Sequence, residues 1–361
     1  MGRILTFFKS FFIAQITLFI LIAPLFSAGK DSAVDAVSSA TSLSVKISFP
    51  ENITLTVFGK VKNIYHLNSK YLSTLSTVRI RTKEADRDGR VTGAYSYIAI
   101  PVNFLFEGIK PLKTSTDLFD RPLDLIITFI SKTGQKSHFS YGELTMCNDS
   151  NPVSLAYYKE PVLPSKEPEK YTKNRDTKPL SGLKLICPRD KYTNRYLDNV
   201  ISIKFSLPKS SDTILPKLAK GKKCNSNKLF YIKGGKKFES SYSGVKIEKY
   251  TNWIRIGHGR GIKSKSPESV TGYSLRDFLF KNFGENGPDD FYLFVGCDGY
   301  RSIFSWSEIF RTYEGGKMIL ITKRNGLPTD KDITLGIIGD FFVDRDIHGL
   351  SFVEKITISK K

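Results

Sequence analysis

The feature that most constrains this chain is an internal repeat. The segment DLIITFISKTGQKSHFSYGEL, from Asp124, lies over DFYLFVGCDGYRSIFSWSEI, from Asp290, bringing Gly134 onto Gly299, Phe139 onto Phe304, Ser140 onto Ser305 and Glu143 onto Glu308. Each copy reads as an apolar strand, a Thr-Gly or Asp-Gly turn, a second strand and the start of a short helix. Asp298-Gly299 predicts a type I′ hairpin turn, which needs positive φ at both central positions. The match extends outward: Val153-Ser154-Leu155 falls on Met318-Ile319-Leu320, Tyr97-Ile98 lies upstream much as Tyr273-Ser274 does, and LDNVISIKF falls on LSFVEKITI with a shifted register. A supersecondary unit written twice predicts two tandem copies of one fold.

Between these anchors the pattern is one of strands. Short apolar alternations recur at VKISF, ITLTVFG, TVRIRT, LKLICP and VISIKF, and again at KLFYI, NWIRI, MILITK and KITIS. Helical spacing is confined to two places: Tyr97 to Phe106, and Ser274 to Phe283, where Leu275, Phe278, Leu279 and Phe283 share one face. The expected class is α+β, with strand-dominated mixed sheets and few helices.

The first 29 residues have Arg3 and Lys9 ahead of an apolar run from Phe11 to Phe26 and then small residues, the pattern of a secretory signal peptide with cleavage after Gly29, or after Ala28 as the nearby alternative. An uncleaved membrane anchor is the alternative, because the run approaches a spanning length. Residues 30–44 read as a polar leader, 45–207 as the first copy, 208–227 as a basic linker and 228–361 as the second copy. A periplasmic or extracellular location follows. Export makes Cys147, Cys187, Cys224 and Cys297 disulfide candidates. Cys187 and Cys297, at the ends of apolar strands, are expected to be buried unreactive thiols. No CxxC occurs and the four His are scattered, so no metal site is indicated.

A formal net charge of +20 on 361 residues suits an acidic protein partner or an anionic envelope surface. Nucleic acid is not an expected partner of an exported chain. The charge peaks between Lys209 and Lys237, where the copies join.

The segments SYIAIPVNFLFEG, DLIITFISKTGQKSHFSYGEL, VSLAYYKEPVLP and PLSGLKLICPRDKYTNRYLDNVISIKF together resemble the molybdopterin-binding domain of the sulfite oxidase family. GYSLRDFLFKNF, YLFVGCDGYRSIFSWSEIF, MILITKRNGLPTD and LGIIGDFFVDRDIHGLSFVEKITI repeat the resemblance, which spans 50–206 and 228–359. It implies that fold, and in catalytic members a Cys thiolate on molybdenum. The matching intervals here, TKEADRDGRVTG and GHGRGIKSKSPESVTG, contain no Cys. The resemblance therefore implies two degenerate copies without a catalytic residue, and no cofactor is expected. A molybdopterin-dependent oxidoreductase, or its electron-transfer companion, is the alternative.

Candidate ligand contacts are few. Gly257, Gly259 and Gly261 alternate with His258 and Arg260, ahead of Lys263 and Lys265, as in a backbone nest for a small anion. The spacing is not GxGxxG and no helix opens after it, so the dinucleotide fingerprint is not met. Arg189 and Arg195, in PRDKYTNRY, occupy a loop that the resemblance places on the cofactor side. Asp289-Asp290 is expected to cap the Gly287-Pro288 turn, and Arg301 and Lys136 are hairpin charges. Phe341, Phe342 and Trp306 read as core. The function these features suggest is an exported, non-catalytic binding or scaffolding protein for an acidic partner or ligand, with small-anion binding at the glycine loop as a further alternative.

Overall fold

The computed structural model describes residues 48–114, 117–147, 151–162, 179–211, 215–219, 228–257, 263–284, 287–329 and 332–358, with the side chains of 263–266 excepted. The signal sequence, the leader, most of the basic linker, and His258 and Arg260 lie outside the described residues. No described helix is long and apolar enough to cross a membrane. Ile47–Lys361 form one compact unit, strand-rich with short helices and built from four sheets rather than from two free-standing copies.

The first half supplies β1 (Thr54–Gly59), β2 (Tyr65–Asn68), β3 (Val78–Ala85), β4 (Val91–Pro101), β5 (Ile126–Ser131), β6 (Lys136–Ser140), β7 (Ser154–Pro161), β8 (Pro179–Ile186) and β9 (Val200–Ser206). The second half supplies β10 (Phe230–Lys233), β11 (Lys236–Glu239), β12 (Ile247–Gly257), β13 (Lys263–Ser274), β14 (Asp290–Gly296), β15 (Arg301–Ser305), β16 (Met318–Arg324), β17 (Leu327–Pro328), β18 (Thr334–Ile337) and β19 (Leu350–Thr357). One sheet has the order β2-β1-β9-β5-β6 and a second the order β11-β10-β19-β14-β15, in which the terminal strands β9 and β19 run parallel to β1 and β10. The others are β3-β4-β7-β8 and β12-β13-β16-β17, with β18 also on β16.

The central strands follow from their composition. Every residue of β14, DFYLFVG, is buried, the signature of a strand covered on both faces. Alternate side chains go to opposite faces. Phe291, Leu293 and Val295 pack with Ile126, Leu215, Ile232, Ile303 and Ile356, while Tyr292 and Phe294 pack with Leu275, Phe278, Leu279 and Phe283 of the helix Leu275–Phe283.

Four sequence expectations need correction. Tyr97–Pro101 belongs to β4, paired with β3 and β7, and only Val102–Glu107 is helical; a short apolar run rich in aromatic and β-branched residues carries either period. The hairpin turns are not type I′, because φ is positive at Gly134 and Gly299 but not at Asp298. A Cβ at Gly299 would sit 2.3 Å from the Lys217 carbonyl oxygen, so glycine is required there for space as well as for φ. Cys297 is disulfide-bonded rather than a thiol, whereas Cys187 is a buried free thiol as expected. Finally, Ile126 pairs with Ser206 and Phe291 with Ile356. Ser206 therefore corresponds to Ile356, three residues away from the register in which LDNVISIKF falls on LSFVEKITI. With that register corrected, Asp190 and Arg195 correspond to Asp340 and Arg345.

Candidate functional site

The two halves meet through reciprocal contacts, in which residue and equivalent residue exchange roles as they would across a twofold axis. Ser140 caps the helix Tyr141–Thr145 by accepting from the Glu143 amide at 3.0 Å, and Ser305 caps Trp306–Arg311 by accepting from the Glu308 amide at 2.9 Å. Each hydroxyl then donates across the interface, Ser140 to Glu308 Oε2 at 2.9 Å and Ser305 to Glu143 Oε2 at 3.0 Å. In an ordinary capping box the Glu carboxylate folds back onto its own helix start. Here each carboxylate serves the other half, and the four residues close a hydrogen-bonded ring.

Arginines back this ring on both sides. Arg195 holds Asp190 bidentately at 2.7 and 2.6 Å, and its Nη1 lies 2.6 Å from Glu143 Oε1 in an ion contact. Arg345 likewise holds Asp340 bidentately at 2.6 and 2.6 Å and pairs with Glu308. Arg195 stacks on Phe139 and Arg345 on Phe304. The backbone repeats the exchange: Lys191 N donates to Arg311 O and Phe341 N to Met146 O, each at 2.9 Å. Burial pushes the Glu308 carboxyl up to about 7, against the pull of Arg345 and with the neighbouring Glu143 adding to the rise. It also raises Asp190 against the pull of Arg195.

The structure thus gives Arg189 and Arg195 an internal role. Both are buried; Arg189 Nη2 donates to the Glu143 carbonyl oxygen at 3.0 Å, and Arg195 is matched by two carboxylates. His258 and Arg260 lie outside the described residues. Arg301 is buried and donates to Pro216 O at 2.6 Å. Asp290 caps its turn as expected, accepting from Gly287 N at 2.7 Å.

One flank of the interface opens into a cleft of about 180 Å³, lined by Arg87, Asp190, Tyr192, Asn194, Arg195, Gly287, Pro288, Trp306, Ser307 and Arg311. Four well-held elements present these groups. Arg87 sits in the β3–β4 turn, where the Asp86 carboxylate accepts from the amides of Asp88 and Arg90, both at 2.9 Å. Tyr192 and Asn194 belong to the turn around Thr193, whose hydroxyl donates to Ala85 O at 3.1 Å. Gly287 and Pro288 come from the turn capped by Asp290, and Trp306, Ser307 and Arg311 from the capped helix of the second half. The Arg311 guanidinium lies 5.0 Å from the Trp306 ring centre and 5.3 Å from that of Tyr192. Neither Arg311 nor Arg87 is paired with a carboxylate among the described residues. Trp306 therefore serves the cleft as well as the core. Arg87 lies in TKEADRDGRVTG, so that interval reaches the cleft and places an arginine on it.

A molybdenum–pterin group does not fit these residues. No Cys lines the cleft; burial pushes the Cys147 thiol up to about 12 and the Cys187 thiol well above its usual value, and cysteine binds a metal as its thiolate. The cleft is also smaller than the roughly 300 Å³ or more of ordinary cofactor sites.

No protein-family model matches the chain, and no curated protein matches it. Among solved structures it is similar to the sulfane dehydrogenase SoxCD from Paracoccus pantotrophus, with a TM-score of 0.30 and 9% identity over 70% of this chain and 59% of that one. The chain thus spans less than two thirds of that structure's length.

Proposed function

We propose that this chain is an exported, non-catalytic binding protein, built on two degenerate copies of a sulfite-oxidase-like molybdopterin-binding fold, that holds an acidic ligand or partner at the cleft between its halves. The observation that carries the reading is the pair of guanidiniums, Arg87 and Arg311, that reach the cleft without a carboxylate partner among the described residues. A cation left unmatched on a rigid concave surface is a place for an anion. The repeated strand order supports a duplicated ancestry, and the disulfide at Cys297 supports an oxidising compartment. The acid–base groups nearest the cleft, Glu143, Asp190 and Arg195, are already engaged with one another, which supports binding rather than proton transfer.

The test is calorimetric titration of the purified chain with inorganic phosphate, sulfate, a dicarboxylate, benzoate and an oligoglutamate peptide. At least one anion should bind about tenfold or more weakly to the Arg87→Gln/Arg311→Gln double variant. If every anion binds both proteins alike, the cleft is not the site and the proposal fails.

A further inference from the structure

The reciprocal interface allows a comparison inside one molecule between what holds the halves together and what does not. Ser140 and Ser305, Glu143 and Glu308, Asp190 and Asp340, Arg195 and Arg345, and Phe139 and Phe304 are the same residue type in both halves. Of the residues that line the cleft, Asp190 and Arg195 belong to this repeated set, whereas Arg311, Trp306, Asn194 and Ser307 are not repeated. Where the cleft has Arg311, the equivalent place has Met146; where it has Trp306, Tyr141; where it has Asn194, Asp344. Ser307 is replaced by Gly142, and there the Arg345 side chain lies so close that an added Cβ would come 2.2 Å from its Cδ. The interface does not require the cationic, aromatic lining, since the opposite flank makes the equivalent backbone and ion-pair contacts without it.

Resting on the proposed binding role, we propose that the cleft selects a ring-sized monocarboxylate, held through Arg311 with its ring beside Trp306 and Tyr192. Three properties of the cleft lead there. Its volume of about 180 Å³ is close to the ~150 Å³ cavity known to hold a benzene ring. One wall carries a carboxylate: Asp190 lines the cleft beside Arg87, Arg195 and Arg311 and is held by Arg195. A phosphate dianion would bring its second charge near Asp190, which a monocarboxylate avoids. Lastly, the Arg311 guanidinium has no acceptor among the described residues and lies beside two aromatic rings, so its planar fork remains available for bidentate pairing with a carboxylate whose own plane continues into a ring.

The experiment uses the full purified chain and four probes: benzoate, cyclohexanecarboxylate, acetate and inorganic phosphate. Benzoate should bind about tenfold or more tightly than acetate or phosphate, with cyclohexanecarboxylate between. Because the chain has two Trp, benzoate should change the intrinsic fluorescence, and Trp306→Phe should abolish that change. Arg311→Lys, which keeps the charge and loses the fork, should weaken benzoate about tenfold. Arg311→Met copies the residue already accepted at the equivalent place in the first half and serves as a variant expected to fold. Phosphate binding more tightly than benzoate, or equal benzoate affinity in Arg311→Lys, would overturn this inference while leaving an anion-binding cleft intact. If no anion depends on Arg87 or Arg311, both the inference and the binding role beneath it fail.

Discussion

Replacing Glu308 with Gln probes the charge balance of the layer between the halves. Around Ser140 and Ser305, the carboxyls of Glu143, Asp190, Glu308 and Asp340 stand among the guanidiniums of Arg189, Arg195 and Arg345. Four carboxyls against three guanidiniums leave one negative charge unmatched, where burial makes such a charge costly. Burial raises the Glu308 carboxyl from an ordinary 4.5 to about 7, so its protonation relieves that charge as pH falls. A folded chain that binds this proton more tightly than the unfolded chain loses stability as pH rises from the unfolded value through the folded one. At about 1.4 kcal/mol per unit, the loss between about pH 5 and pH 8 is on the order of 2 kcal/mol. Gln at this position is neutral throughout, still offers an oxygen to Ser140, and removes the dependence.

The assay is urea unfolding of parent and Glu308→Gln at about pH 5 and about pH 8. Asp346, raised by burial to about 6, and Asp190, also raised, contribute pH dependence to both proteins. The informative quantity is therefore the difference between the two slopes. The parent should lose on the order of 2 kcal/mol more than the variant over this range. Equal losses would refute the assignment of the shared proton to Glu308.

Three other outcomes follow from the same geometry. Ser140→Ala and Ser305→Ala each remove a helix cap, about 1 kcal/mol, and a hydrogen bond to a carboxylate, roughly 1.5–3 kcal/mol; because both serve one ring, their double-mutant cycle in urea should be non-additive. Gly142→Ala places a methyl against the fully buried Arg345 and should cost about 1–3 kcal/mol, whereas Ser307→Ala at the equivalent position should cost less. Cys147 and Cys187, with thiols raised by burial, should resist alkylation in the native chain and react in urea, as mapped by mass spectrometry.

The strand content, the recurrence of one strand order in two sheets and the helix Leu275–Phe283 were legible because they rest on local period. The interface was half legible. Ser140 with Glu143 and Ser305 with Glu308 have the spacing of capping boxes, but a box on one helix gives no sign that its carboxylate will cross to another. The signal that would have shown more is the spacing of Asp190 to Arg195, repeated in Asp340 to Arg345. It is hidden when the last strands are aligned on their apolar residues, since alternation tolerates a wrong register and a charge pair does not.

That difference separates the two kinds of arginine in this chain. An arginine whose carboxylates recur at fixed spacing in both halves, as with Arg195 and Arg345, answers to the interface, and its burial is accounted for by Asp190, Glu143, Asp340 and Glu308. Arg311 has no counterpart in the first half, where Met146 fills the equivalent place and its carbonyl oxygen still accepts from Phe341 N just as the Arg311 carbonyl oxygen accepts from Lys191 N. The backbone contact is the same with either side chain, so folding leaves this position open. The guanidinium that stands there packs on Trp306 and Tyr192, and Arg311→Met separates that packing role from the binding role proposed for it: a folded variant that still binds benzoate as the parent does would leave only the packing.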